Sequence, residues 1–135
     1  MNNTENKHIL CIEDEPEMID LIRLILGRRG FEVAGAGGGK EGLEKVRQEL
    51  PDLVLLDLMM PVMDGFDFLM EMRARPEWET IPVIVVTAKN LSDADRNLLS
   101  GKVAQVLEKG AYTRDELIRL VRNLVAEGTA ANSKS

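Results

Sequence analysis

The stretch DLVLLDLMMPVMDG (52–65) decides the fold. Residues 53–56 form a short leucine and valine run with no polar residue to mark a solvent face. A run of that kind suits a parallel strand buried on both faces. Asp57 closes it, and a Met-Pro and an Asp-Gly pair follow as turn punctuation. Working outward, four similar runs appear: HILCIE (8–13), FEVAG (31–35), PVIVVT (82–87) and AQVLE (104–108).

Segments of helical spacing alternate with these runs. Met18, Leu21, Ile22 and Ile25 recur at three and four residues, as do Leu117, Val121, Leu124 and Val125, with Ile118 alongside. Gly27 and Gly30 bracket the end of the first helix, Pro51 follows the second and Pro76 the third. Ser92 to Asp95 offer a cap for a fourth helix with a thin apolar face, Leu98 and Leu99. Thr113 to Glu116 read as a capping box, with Tyr112 placed to staple onto Leu117. The order βαβαβαβαβα predicts an α/β fold with one doubly wound parallel sheet. The domain is expected over 8–126, with disordered ends at 1–7 and 127–135.

The 135 residues suffice for one domain with a core and are too few for two. Hydrophobic residues make up 44% and charged residues 30%, a globular balance. The net charge of −6 argues against binding DNA or an anionic membrane, because either needs a basic footprint. No run approaches the ~20 apolar residues of a membrane span, and MNNTENKH (1–8) is no signal peptide. Cys11, the single cysteine, has no internal disulfide partner. A reducing, cytoplasmic setting is the expectation.

In an open parallel sheet, ligands bind beyond the carboxyl ends of the strands. The first run ends at Glu13-Asp14-Glu15, the third at Asp57, the fourth at Thr87, and Lys109 follows the fifth. If the first and third strands are neighbours, their ends lie about 5 Å apart, and Glu13, Asp14 and Asp57 crowd one edge. Like charges so close repel unless a cation joins them. A hard divalent ion such as Mg²⁺ suits a few carboxylates plus a phosphate. Cation, Lys109 ammonium and Thr87 hydroxyl together can neutralise a transferring phosphoryl group, and a carboxylate among them can act as nucleophile. One aspartate at a strand end is more often a helix cap. The whole set in this order is harder to attribute to capping.

These residues resemble the receiver domain of two-component response regulators over about 8–126. CIEDEP (11–16) is similar to the family's acidic pair, DLVLLDLMMPVMDG to its phosphoacceptor motif, VIVVTA (83–88) to its switch-hydroxyl strand, and LEK (107–109) to its lysine. The resemblance implies a flavodoxin-like (βα)5 fold with strand order 2-1-3-4-5. It implies that Asp57 takes a phosphoryl group from a histidine of a sensor kinase or phosphotransfer protein, and that the chain catalyses only its own phosphorylation and dephosphorylation. Asp14, Asp57 and the main-chain carbonyl of Met59 would hold Mg²⁺, for which Mn²⁺ would substitute, and Glu13 would act through water. Thr87 would bond a phosphoryl oxygen, and Lys109 would pair with Asp57 and then with the phosphate. Met59 and Lys89, two residues beyond Asp57 and Thr87, would tune phosphoryl lifetime. The face of the fourth helix, fifth strand and fifth helix would meet an unknown downstream partner, with Arg114, Arg119 and Arg122 giving the last helix a basic surface. A monomer or a weak phosphorylation-dependent dimer is expected.

Three positions depart from the family pattern. Glu13 stands for the commoner aspartate. Gly110 stands where proline is usual, so the loop there is expected to follow another path. Val106 occupies the switch-aromatic position and has no ring to swing.

Competing readings are weaker. Gly37 to Gly42 fit G-x-G-x-x-G between a strand and a helix, but on the second strand and with no account of Glu13, Asp14, Thr87 or Lys109. An aspartyl-phosphate hydrolase usually carries a second acid where Met59 stands. A receiver-like module that binds without phosphorylation is kept alive by Val106. A full domain opening on methionine suggests a stand-alone regulator or phosphorelay shuttle, and a receiver from a hybrid histidine kinase is the alternative. His8 sits at the far end of the first strand and reads as a surface residue.

Overall fold

The computed structural model describes residues 7–134, with side chains described for 7–126. Five strands, β1 (His8–Ile12), β2 (Glu32–Ala36), β3 (Leu53–Leu56), β4 (Val83–Thr87) and β5 (Gln105–Glu108), alternate with α1 (Pro16–Gly27), α2 (Gly39–Gln48), α3 (Gly65–Arg73), α4 (Asp93–Leu99) and α5 (Arg114–Lys134). The sheet is parallel with order 2-1-3-4-5, as the resemblance implies. A 3₁₀ turn, Pro76–Trp78, buries Trp78 ahead of β4.

Side-chain alternation divides the core into two layers. Leu10, Ile12, Val54, Leu56, Val83 and Val85 face α2 and α3 through Val46, Phe68 and Met72. Ile9, Cys11, Leu53, Leu55, Ile84 and Val86 face α1 and α5 through Ile22, Leu26, Leu117 and Val121. Residues of β3 and β4 are buried throughout, because helices cover both faces.

The helix signals translate into hydrogen bonds. Ser92 and Asp95 form a reciprocal capping box on α4, whose one buried residue is Leu99. The Thr113 amide donates to Glu116 Oε1 at 3.1 Å and the Glu116 amide to Thr113 Oγ1 at 3.0 Å, while Tyr112 packs on the layer containing Leu117. His8 lies between Glu32 and Glu49, with ring nitrogens 3.1 and 3.0 Å from their carboxylates. α5 continues to Lys134, past the expected boundary at 126. Alanines at 126, 130 and 131 favour helix, and Gly128 costs only about 1 kcal/mol relative to alanine. The expected tail residue 135 and the expected disordered residues 1–6 lie outside the described residues.

Candidate functional site

Register places the acidic residues. Ile12 of β1 pairs with Leu56 of β3, so Glu13 and Asp57 step off neighbouring strands together. The Asp57 amide donates to the Ile12 carbonyl at 3.0 Å and the Glu13 amide to the Ala36 carbonyl at 2.9 Å. The strand ends are thereby held by backbone, independent of side-chain charge. Gly65 lets the start of α3 approach this point: a Cβ there would run into the Asp57 carbonyl and the Leu58 backbone. Asp64 caps α3 by accepting from the Asp67 amide at 2.9 Å.

Glu13, Asp14 and Asp57 each bring a carboxylate oxygen within 4.8 Å of the others. Glu13 and Asp57 are buried, each 4% exposed, while Asp14 faces solvent. Lys109 enters from the end of β5, and its Nζ lies 2.6 Å from Glu13, 3.1 Å from Asp57 and 3.5 Å from Glu15. One Asp57 oxygen accepts from Lys109, and the other accepts from the Met59 amide at 3.1 Å. Thr87, 1% exposed, ends β4 in register with Glu108, and its carbonyl accepts from the Lys109 amide at 3.0 Å.

The electrostatics are unbalanced. Burial pushes Glu13 up from an ordinary 4.5 to about 7; the Lys109 hydrogen bond opposes this and the Asp57 charge adds to it. Lys109 is raised above its usual value although burial works against its charge, because bonds to Glu13 and Asp57 outweigh it. One ammonium therefore faces three gathered carboxylates, with Glu15 beside them. An all-oxygen donor set with surplus negative charge fits a hard divalent cation. Burial, with Glu13 adding, pushes the Cys11 thiol up to about 12, so Cys11 packs as an inert core residue.

Every predicted strand-end residue meets at this edge: Glu13, Asp14, Asp57, Thr87 and Lys109. The flanking residues divide. Met59 is 55% exposed beside the cluster. The Lys89 amide donates to Thr87 Oγ1 at 3.2 Å, but its ammonium lies 3.2 Å from Asp95. Val106 pairs with Val85 and packs on the layer containing Leu99. Gly110 has φ +80°, which proline, with φ held near −65°, cannot adopt. The backbone at Gly110 thus takes a conformation closed to proline. In the Gly37 to Gly42 loop, the Gly37 amide donates to Glu41 Oε1 at 2.7 Å. A carboxylate already occupies a donor that a pyrophosphate would need. Glu15 was not anticipated as a partner of Lys109; its place in the acidic run 13–15 was the available signal.

Residues 9–122 match the family model for the response regulator receiver domain. The chain belongs to that family. This receiver domain is 36% identical over 124 residues to hybrid signal transduction histidine kinase D of Dictyostelium discoideum, covering 91% of this chain and 8% of that protein. It is 35% identical over 121 residues to the DNA-binding response regulator MtrA of Mycolicibacterium smegmatis, covering 89% of this chain and 51% of that one. The receiver domain therefore spans about half, or far less, of these curated relatives. The crystal structure of the N-terminal domain of a response regulator receiver protein from Methanoculleus marisnigri JR1 superposes with TM-score 0.71 at 33% identity, covering 86% of this chain and 94% of that chain. The receiver family serves two-component signalling with histidine kinases or phosphotransfer proteins, and its members bind Mg²⁺ at an acidic pocket. No helix among the described residues is long and apolar enough to cross a membrane.

Proposed function

We propose that Asp57 accepts a phosphoryl group from a histidine of a sensor kinase or phosphotransfer protein, and that the receiver acts as a signalling switch. The observation that carries this reading is the convergence of three carboxylates within 4.8 Å, with the Lys109 ammonium 3.1 Å from Asp57. An Asp57 carboxylate oxygen attacks the phosphorus of a phosphohistidine. The P–O bond forms as the P–N bond breaks, and the imidazole nitrogen leaves with the electron pair and takes a proton. Lys109 offsets charge on the phosphoryl oxygens. The Thr87 hydroxyl, at the neighbouring strand end, donates to one of them.

Asp14, Asp57 and the main-chain oxygen of Met59 would hold Mg²⁺, with Glu13 reaching it through water. The ion supplies charge neutralisation at the reacting phosphoryl group. Met59, exposed beside Asp57, shields the acyl phosphate from water and so lengthens its life. Signal leaves by a shift between two pre-existing states. Arg114, Arg119 and Arg122, all exposed, give α5 a basic surface for an acidic partner. Similarity to a hybrid histidine kinase supports a second setting, in which the same acceptor works inside a longer kinase chain.

Beryllofluoride with Mg²⁺ mimics the phosphoryl group. It should shift the amide resonances of Asp57, Thr87 and Lys109 in the wild type and leave Asp57→Asn unchanged. An equal response in both proteins would remove Asp57 as the acceptor.

A further inference from the structure

Beyond Thr87, the loop between β4 and α4 carries polar contacts that the phosphoryl chemistry does not use. Thr87 Oγ1 accepts from the Lys89 amide at 3.2 Å. The Lys89 ammonium lies 3.2 Å from Asp95 Oδ2, and that same oxygen accepts from the Ser92 amide at 3.1 Å. Asp95 also closes the capping box from its backbone, since its own amide donates to Ser92 Oγ at 3.1 Å. One carboxylate oxygen thus joins the Lys89 side chain to the first turn of α4.

That turn is weakly anchored. α4 is seven residues long and buries only Leu99. Short helices with few buried apolar contacts open at low free energy. The Asp95 side chain is 17% exposed and the Lys89 side chain 37%, so water screens the pair only in part. Across the sheet, Val106 offers no ring to follow Thr87. The contacts through Lys89 form a polar path from Thr87 to α4.

We propose that Asp95 is a positioning residue: through Lys89 it couples occupancy of the Asp57 site to the N-terminal turn of α4. The proposal rests on the reading of Asp57 and Thr87 given above. When Thr87 Oγ1 turns to a phosphoryl oxygen, it draws on the Lys89 amide. The phosphoryl group also adds close to two negative charges that compete with Asp95 for the Lys89 ammonium. Asp95 then loses its cation, and the first turn of α4 loosens.

The test is amide hydrogen exchange of α4 in the full chain, with and without beryllofluoride and Mg²⁺. In the wild type the α4 amides should exchange about threefold or more faster when the mimic binds. Asp95→Asn keeps an oxygen for the Ser92 amide but loses the charge. Its α4 amides should exchange fast throughout and ignore the mimic, while the Asp57 and Lys109 resonances still report binding. Asp95→Glu should restore the response. Ser92→Ala breaks the cap and spares the ion pair, so its α4 should start faster yet still respond. A wild-type-like response in Asp95→Asn, or a lost response in Ser92→Ala, overturns the coupling and leaves Asp57 untouched. No change at Asp57 in the wild type overturns both.

Discussion

Glu13 makes the metal-free receiver less stable as pH rises from about 4.5 to about 7, and Glu13→Gln should remove that loss. The carboxyl is 4% exposed, and burial raises it from an ordinary 4.5 to about 7. Between those values the folded protein holds a proton on Glu13 that the unfolded chain has released. The stability contributed by the Glu13 proton therefore falls across the window and is fully lost above it. At 1.36 kcal/mol per pH unit, the gap between 4.5 and about 7 corresponds to about 3 kcal/mol. Lys109 keeps Asp57 and Glu15 as partners in Glu13→Gln, at 3.1 and 3.5 Å, so its own charge stays held. The assay is urea unfolding in EDTA from pH 4 to 8. The wild type should lose about 3 kcal/mol more than the variant over that range. Adding Mg²⁺ should stabilise the wild type more at pH 8 than at pH 5, because a cation binds the ionised cluster and displaces the proton. Parallel pH profiles for the two proteins in EDTA would refute the placement of Glu13 as a buried, raised carboxyl.

Three further outcomes are expected. Asp14→Ala should weaken Mg²⁺ binding, read by calorimetry, more than Glu13→Ala does, since the first ligates directly and the second through water; equal losses would contradict that division. Gly110→Pro cannot adopt φ +80° and should destabilise the fold by about 1–3 kcal/mol, while Gly110→Ala should cost about 1 kcal/mol, both read by chemical unfolding; a neutral proline would show that the loop has another path. Val62, fully exposed with φ +68°, is a β-branched residue held in the left-handed region, so Val62→Gly should stabilise by about 1 kcal/mol, and a destabilising glycine would mean that the turn is not strained.

The central strands β1, β3 and β4 were legible because burial on both faces demands continuous apolar runs, and each of the five strands lies within a residue of its run. The α4 and α5 caps were legible because Ser92 with Asp95, and Thr113 with Glu116, carry acceptors at fixed spacing. The site edge followed from topology: once β1 and β3 are neighbours, Glu13 and Asp57 must meet. Side-chain pairing did not follow. Lys109 has four rotatable bonds and three nearby acids, so its 2.6 Å contact with Glu13 depends on packing that no pattern encodes. The same holds for Lys89, whose ammonium turns to Asp95. The 3₁₀ turn at Pro76–Trp78 and the left-handed Val62 are set by local backbone closure, and hydrophobic periodicity is silent on both.

The most direct test of phosphoryl acceptance at Asp57 is intact-protein mass spectrometry after incubation with acetyl phosphate and Mg²⁺, followed by peptide mapping. The wild type should gain one phosphoryl group on the peptide containing Asp57, lost on treatment with hydroxylamine, and Asp57→Asn should gain none. A phosphoryl group on another residue of the wild type, or an equal gain in Asp57→Asn, would contradict the account.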